Sequence, residues 1–495
     1  MTGGPTTARD TTARAEPVEA RSLRTDKALR QAQGQRWRTA LAAVLALSAA
    51  PALAQSVAIT GGRVVLGDGT PPIEGGTVVI DNGRVVAAGA GVVVPAGATV
   101  VDAQGRWVTP GIVAGFSRIG LVEVDAVNAT NDISAANSPF SAAIDVAPAI
   151  NPQSAAIAVN RAAGVTRAIV APAASRSIFA GQGALIDLGG DMQPLTRRRL
   201  FQFVELGEEG AQQAGGSRAS AHVLLRNALR EAGELRVPIS GGGARAGQGQ
   251  EDLPPEDIAE NPSGTTGSAR RDDVLLTRFD AAALAPVVRG QQLLLIHVER
   301  AADILQALAL KREFPRLRLV LVGATEGWRV ARDIQAAGVP VIANALNDLP
   351  ASFEQLAATQ SNIGRMRAAG VQVGIGMIND DEARQIRVST QYAGNLVAIS
   401  RVPGHTGLSW DEAFAAISAR PAEAFGLGGE IGSLRPGRRG DVVIWSGDPL
   451  ELSSNVEAVW IDGVRQSLDN RQTRLRDRYR EPREGQLPNA YDPRD

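Results

Sequence analysis

From about residue 150, short apolar segments alternate with segments of helical periodicity, and few folds accept that order. Residues 293–298 form an apolar run, and Ile304, Leu305 and Leu308 then recur on one side of the helix predicted over 301–312. Strands that alternate with helices are typical of parallel β/α architecture, in which helices cover the sheet. The periodicity leaves open whether the sheet closes into a barrel or remains an open, doubly wound sheet. The predicted strands are 165–170, 293–298, 317–322, 339–343 and 371–376, and the predicted helices are 154–163, 219–232, 301–312, 328–337 and 352–369.

Short β-type segments flank this region on both sides. Asp81-Asn82-Gly83 separates the apolar runs 77–80 and 84–88, and Asn-Gly readily adopts the positive φ angles of a tight hairpin. The same pattern returns at 441–445 and 458–461. Because these segments lie at both ends of the β/α region, we expect them to join in one small β domain.

The first 54 residues have the features of a secretory signal. Residues 1–38 are polar and rich in Arg, residues 40–50 are apolar, and Ala52-Leu53-Ala54 supplies small residues at a signal-peptidase spacing. We therefore expect cleavage after Ala54 and export to the periplasm or the extracellular space. The alternative is an anchoring N-terminus. The apolar stretch is too short for a membrane span, so no membrane association is expected after cleavage.

Composition excludes several classes of chemistry. The 495 residues include no Cys, three His and two Lys, which removes thiol catalysis and leaves few imidazole ligands for a metal. The 51 Lys and Arg residues balance 52 Asp and Glu residues, and only 4% of residues are aromatic, so a nucleic-acid partner is not expected. The oligomeric state is left open.

Three motifs carry a family resemblance. They are Asp-Ala-Gln-Gly-Arg-Trp-Val-Thr-Pro-Gly at 102–111, Ile-His-Val-Glu-Arg-Ala-Ala-Asp-Ile at 296–304, and Ile-Gly-Ser-Leu-Arg-Pro-Gly at 431–437. In this order they resemble the amidohydrolase superfamily, and the nearest branch is the imidazolonepropionase-related proteins. Gly181-Gln182-Gly183 is a lone Gly-x-Gly that we interpret as a tight barrel loop rather than a dinucleotide site.

The resemblance implies both a fold and a domain arrangement. The fold is α/β, a (β/α)8 TIM barrel at 112–426 with a small β-sandwich built from both ends of the mature chain. The sandwich is divided between 55–111 and 427–466. Residues 467–495 are then a charged tail, interpreted as a solvated helix and a frayed end.

The resemblance also implies a metal centre, and most of its positions are replaced in this chain. The family uses one or two divalent metals to activate water at the barrel mouth. Phe116 and Arg118 occupy the two His positions of the first strand, and neither offers a lone pair to a metal. The segment 201–207, where the bridging Lys is expected, contains no Lys, and Gly323 stands at another His position.

Two family positions retain suitable residues. His297 ends a predicted strand, and Asp380 or Asp381 follows the strand at 371–376, with Asp380 preferred as metal ligand and general base. Glu299 could share the face of His297, which makes a mononuclear site for one divalent metal such as zinc conceivable. The alternative is structural, with His297 hydrogen-bonded inside the mouth, the acids paired with Arg118 or other Arg residues, and no metal.

Two functional hypotheses follow from these residues. The first is an exported hydrolase that acts on carbon–nitrogen bonds outside peptide backbones, with a reduced or lost metal site. The second is a catalytically inactive barrel whose mouth binds an anionic small molecule or a protein partner, since Arg118 suits a carboxylate or phosphate.

Overall fold

The computed structural model describes residues 56–124, 126–235, 275–378 and 384–480. The leader predicted at 1–54 lies outside these residues. Within the described ranges, no helix combines the length and the apolar character that a membrane span requires.

The strands belong to two sheets. They are labelled in chain order as β1 (Val57–Val64), β2 (Ile73–Asp81), β3 (Arg84–Gly89), β4 (Thr99–Asp102), β5 (Trp107–Pro110), β6 (Ile112–Ser117), β7 (Val165–Val170), β8 (Phe179–Asp187), β9 (Leu195–Glu205), β10 (Leu293–Val298), β11 (Arg318–Gly323), β12 (Val341–Ala343), β13 (Val373–Ile375), β14 (Val442–Trp445), β15 (Val456–Ile461) and β16 (Val464–Arg465).

The first sheet joins the two ends of the described chain. Its strand order is β16, β15, β14, β5, β1, β2 and β3, and β4 pairs in parallel with β1. The β2–β3 hairpin turns at Asn82 and Gly83, whose φ angles of 49° and 73° are those of the predicted turn. The expected β domain from both termini is therefore confirmed.

The second sheet is the barrel. Its order is β6 through β13 without interruption, and β6 pairs with β7 and β9 through β13 pair in parallel. On the side where β13 meets β6, the backbone N–H of Met377 donates to the carbonyl of Phe116 at 3.1 Å. The sheet is thus nearly closed, which confirms the predicted TIM-type barrel.

One strand departs from simple β/α alternation. β8 runs antiparallel to both β7 and β9. In a regular β/α barrel, neighbouring strands are parallel and are joined through a helix. Gly181 and Gly183 lie within β8, and the prediction of a tight loop there is wrong. A Cβ at Gly183 would lie 2.0 Å from the ring of Phe201, so a bare backbone is needed for the ring to pack against this strand.

Helices cover the outside of the barrel sheet. They are α1 (Ala155–Arg161), α2 (Gly207–Gln213), α3 (Arg218–Glu234), α4 (Arg278–Val288), α5 (Ala301–Glu313), α6 (Ala331–Ala337), α7 (Asn362–Ala368), α8 (Ser389–Ile399), α9 (Trp410–Ala416), α10 (Ala419–Ala424) and α11 (Arg471–Arg480).

The long helix predicted over 352–369 is wrong in its first half. A 3₁₀ turn at Phe353–Gln355 is followed by irregular chain before α7 begins. The backbone N–H of Ala357 donates to Glu326, and its carbonyl accepts from the indole N–H of Trp328. Long-range partners therefore take the backbone groups that a continuous helix would use.

Alternate strand residues fill the barrel interior. Phe116, Phe203, Leu295, Val322 and Ile342 are buried in one interior cluster. The intervening residues pack outward against the helices in a larger cluster. Side chains of a strand alternate between its two faces. At the carboxyl end of each strand, the next residue on the interior face therefore points toward the barrel mouth.

A buried ion cluster ties the barrel to the sheet domain. Arg167 in β7 is fully buried and forms two hydrogen bonds with the carboxylate of Asp441, at 2.7 and 2.9 Å. Its guanidinium also contacts Asp462 at 2.8 Å and Asp187 at 3.6 Å, and donates to the hydroxyl of Thr196. We call Arg167, Asp187, Asp441 and Asp462 the latch cluster.

Candidate functional site

The interior faces of β9 and β10 end, at the carboxyl ends of these strands, in titratable side chains. Glu205 is the last residue of β9 and pairs in register with His297 of β10. Glu299 follows two residues after His297, on the same side of the extended chain. The fold therefore brings together an imidazole and two carboxylates at the end of the barrel where enzymes of this architecture carry their sites.

Both ring nitrogens of His297 face a carboxylate. Nδ1 is hydrogen-bonded to Oε1 of Glu205, and Nε2 lies 3.0 Å from Oε1 of Glu299. The side chain of His297 is 18% exposed, whereas those of Glu205 and Glu299 are 5% and 6% exposed. The imidazole is thus the part of this arrangement that solvent or a ligand can reach.

The two carboxylates control the protonation of the ring. Burial opposes a charge on His297, but the charges of Glu205 and Glu299 and their hydrogen bonds outweigh burial and raise its pKa well above the usual range. Burial acts to raise the pKa of Glu299, and hydrogen bonds from His297 and Thr325 lower it below its ordinary value. A protonated ring donates from both nitrogens and has no lone pair left for a metal.

The turn after β11 holds Glu299 in place. The backbone N–H of Thr325 donates to Oε2 of Glu299 at 2.8 Å. Gly323 and Ala324 both have positive φ angles, 87° and 50°, and a Cβ at Gly323 would lie 2.6 Å from Oε1 of Glu299. The carboxylate of Glu299 therefore fills the space that any side chain at position 323 would need.

Arg118 interacts electrostatically with the same group. It follows β6, is 9% exposed, and its charge interacts with Glu205 and Glu209. Burial lowers the pKa of Arg118, and those two carboxylates act against that shift. We call Arg118, Glu205, His297 and Glu299 the mouth cluster.

A second group of charges surrounds the mouth cluster. The guanidinium of Arg218 lies 3.2 to 3.4 Å from carboxylate oxygens of Glu208, Asp303 and Glu354. Glu354 also accepts from the backbone N–H of Glu208 at 2.7 Å. These contacts join the starts of α2, α3 and α5 to the chain after β12 and so fix the rim of the mouth.

Most of the site residues predicted from sequence come together. His297, Glu299 and Arg118 all belong to the mouth cluster, whereas Asp380 and Asp381 lie outside the described residues. Sequence reasoning did not identify Glu209, whose pKa is raised by burial and by the charge of Glu205. The acid-rich run Glu-Leu-Gly-Glu-Glu at 205–209, directly after a predicted strand, is the signal that could have indicated it.

Comparison with known proteins finds partial matches to amidohydrolases. The model of the amidohydrolase family matches residues 361–465. The chain is 24% identical over 396 residues to the amidohydrolase tasK of Hapsidospora irregularis, and 30% identical over 255 residues to the imidazolonepropionase of Maricaulis maris. These alignments cover 74% and 49% of this chain but only 37% and 56% of the two relatives.

The solved structures agree on the fold. A crystal structure of an amidohydrolase from Thermotoga maritima superposes with a TM-score of 0.67 at 23% identity, covering 83% of this chain and 99% of the other. The chain is thus similar to amidohydrolases in these segments and in its fold. Its barrel and terminal sheet domain match the fold of the Thermotoga maritima structure, and its mouth cluster stands at the end of the barrel where the family resemblance places the metal centre.

The described residues of this chain do not fit such a metal centre. The ring of Phe116 packs in the apolar interior 5.4 Å from that of Phe203, and Arg118 brings a permanent cation. Among the residues that the structure describes, no group of three or more His, Cys, Asp or Glu side chains is arranged to hold a metal ion. A metal held by His297, Glu299 and Asp380 remains a prediction, because Asp380 is not among them.

Proposed function

We propose that this chain is an exported member of the amidohydrolase superfamily in which the mouth cluster replaces the metal centre, and that the barrel mouth binds a small molecule without hydrolysing it. The observation that carries the proposal is the pairing of both ring nitrogens of His297 with carboxylates. That pairing supports a protonated ring, which cannot ligate a metal.

The same arrangement suggests which part of a ligand is recognised. In a metal-dependent member, the dication polarises an oxygen of the substrate. Here the positive charges at the mouth are the guanidinium of Arg118 and the imidazolium of His297, each held by buried carboxylates. A carboxylate or amide oxygen of a small ligand is the group that such cations would meet. We therefore assign the ligand to the class of small carboxylates and amides.

Hydrolysis of a carbon–nitrogen bond is the second candidate. Membership of the superfamily favours it, and the relatives named imidazolonepropionase direct attention to cyclic amides. It requires a water-activating group, for which His297, Glu299 and Asp380 are the proposed residues.

The experiment that separates the two candidates combines metal analysis with ligand binding. The mature protein is purified, its metal content is measured by mass spectrometry, and thermal shifts are recorded with Zn²⁺, with small dicarboxylates and with lactams. We expect less than one tenth of an equivalent of metal, no shift with Zn²⁺, and a shift with a carboxylate or lactam that Arg118→Met abolishes. The exposed Arg332→Met is the matched control and should leave the shift unchanged.

Opposite results would overturn the binding proposal. Stoichiometric metal that is lost in His297→Gln or Asp380→Asn, together with turnover of a lactam, would establish the hydrolase instead. Export is tested separately by the intact mass of the secreted protein, which should correspond to a chain that begins at Gln55.

A further inference from the structure

Three glutamines form a buried cluster in the barrel wall, away from the mouth cluster. Gln182 of β8 and Gln202 of β9 are direct partners across the antiparallel pair, and Gln292 immediately precedes β10. Their exposed fractions are 3%, 0% and 7%. Because Phe201 and Phe203 point into the barrel, Gln202 points outward into the layer between the sheet and the helices. We call Gln182, Gln202 and Gln292 the carboxamide cluster.

The cluster contains both unpaired donors and unpaired acceptors. Nε2 of Gln292 donates to Oε1 of Gln182 at 3.1 Å and to the carbonyl of Arg199 at 2.7 Å. Among the described residues, Nε2 of Gln182, Oε1 of Gln292 and both amide atoms of Gln202 have no hydrogen-bond partner.

We infer that the carboxamide cluster is a binding site for buried water. A metal cation would meet the amide donors unfavourably, and an anion would meet the carbonyl acceptors unfavourably. Water both accepts and donates, which is what this mixed set requires, and buried waters in proteins characteristically join such groups. Left without water, the amide of Gln202 would carry the full desolvation cost of a buried polar group.

The local backbone explains why polar side chains stand here. Arg199 has a φ of 47°, and the pairing register of β8 and β9 shifts between Gly183 and Leu185, which marks a bulge beside the cluster. The hydrogen bond from Gln292 satisfies the carbonyl of Arg199 within that bulge. The reversed strand thus creates an irregular backbone segment, and side-chain amides together with water complete its hydrogen bonds.

A crystal structure of the full mature protein is the direct test. We expect electron density for water within about 2.7 to 3.2 Å of an amide atom of Gln202. Continuous side-chain packing with the three amides paired to protein groups, or an empty space around Gln202, would overturn the inference.

Substitution gives an independent readout that does not involve the mouth. Gln202→Met keeps the length of the side chain and removes its amide. With water bound, we expect the Tm to fall by about 2 °C or more, since the water loses partners while Gln182 and Gln292 stay polar. A rise in Tm would mean that Gln202 was unsatisfied and would contradict the inference. The exposed Gln306→Met is the control, with no change expected, and if Gln202→Met does not fold, the density in the unsubstituted protein decides.

Discussion

The barrel carries two ion clusters, the latch cluster toward the amino end of β7 and the mouth cluster at the carboxyl ends of β9 and β10. In the latch, every nitrogen of the Arg167 guanidinium has an oxygen partner, and the side chain is completely buried. In the mouth, the central cation is the ring of His297, which is 18% exposed. In both clusters a cation compensates buried carboxylates. Of the two, only the mouth cluster has a central cation that is exposed to solvent.

This difference separates a structural role from the binding role that we propose. The latch joins residues of β7 to Asp441 and Asp462 of the sheet domain, so its ion pairs hold two parts of the chain together. The mouth cluster joins residues of the barrel only, and it stands where the superfamily resemblance places chemistry. A substitution in the latch should therefore affect stability alone, whereas one in the mouth should affect stability and ligand binding together.

Removing the latch cation should give the largest effect. Arg167→Met removes the cation that Asp187, Asp441 and Asp462 share, although Asp462 keeps Arg439. Breaking a buried ion pair in this way costs about 3 to 5 kcal/mol. Urea unfolding of the mature protein measures the loss against Arg332→Met, which should be neutral. A loss below about 1 kcal/mol would mean that the latch does not stabilise the fold.

Removing the ring of His297 should lower the free energy of unfolding by less, because the mouth cluster is partly exposed to solvent. His297→Leu leaves Glu205 and Glu299 without the imidazolium between them, and we expect a loss of about 2 to 3 kcal/mol in the free energy of unfolding. Ligand-induced thermal shifts should disappear in the same variant. Unchanged ligand shifts would show that the ring of His297 does not contact the ligand.

Gly323→Ala tests how the mouth cluster is positioned. The new Cβ would lie 2.6 Å from the carboxylate of Glu299, at a φ of 87° that side chains rarely adopt. We expect a loss of about 1 to 2 kcal/mol and a lowered pKa of His297, because Glu299 must move away from the ring. The ring signals of His297 in NMR spectra report that pKa, and an unchanged value would contradict the arrangement.

His297 of the mouth cluster and Asp462 of the latch cluster should respond to pH in opposite directions. His297 has a raised pKa in the folded protein, so its contribution to stability is fully present below its unfolded value of about 6.5 and is lost as pH rises through the folded value. For Asp462, burial acts to raise the pKa and Arg167 and Arg439 lower it below the ordinary value. Its contribution is therefore present above about pH 4 and is lost as pH falls through the folded value.

The smallest expected effect is a difference between two variants in how the free energy of unfolding depends on pH. Unfolding free energies are compared for the unsubstituted protein, His297→Gln and Asp462→Asn. The advantage of the unsubstituted protein over His297→Gln should shrink above neutral pH, and its advantage over Asp462→Asn should shrink in acid. Parallel profiles for the two variants would show that the clusters do not differ in this way.

Much of the fold follows from local sequence pattern. The strands at 165–170 and 293–298 are predicted with the bounds that the structure gives, because most of their residues are β-branched or leucine. The hairpin at Asn82-Gly83 follows from the backbone preferences of two residues. The helix predicted over 352–369 fails because Glu326 and Trp328, distant in sequence, take the backbone groups of Ala357.

The candidate site is predictable only in part. His297, Glu299 and Arg118 can be named from their places at strand ends and from the family resemblance. The hydrogen bond of His297 with Glu205 joins residues that are 92 positions apart. The carboxylate of Glu299 fits beside Gly323 because this glycine has no side chain and lies in a turn with two positive φ angles. Neither relation leaves a periodic signal in the sequence.

The sequence by itself determined the alternation of strands and helices, the β segments at both ends and the scarcity of histidine, of which there are three. These features depend on residue type and spacing, which act locally. Only the tertiary structure decided that β8 is reversed, that His297 lies between two carboxylates and that Arg167 joins the barrel to the sheet domain. Such relations arise when segments distant in sequence become neighbours, and the protonation of His297 depends on those neighbours rather than on the residue alone.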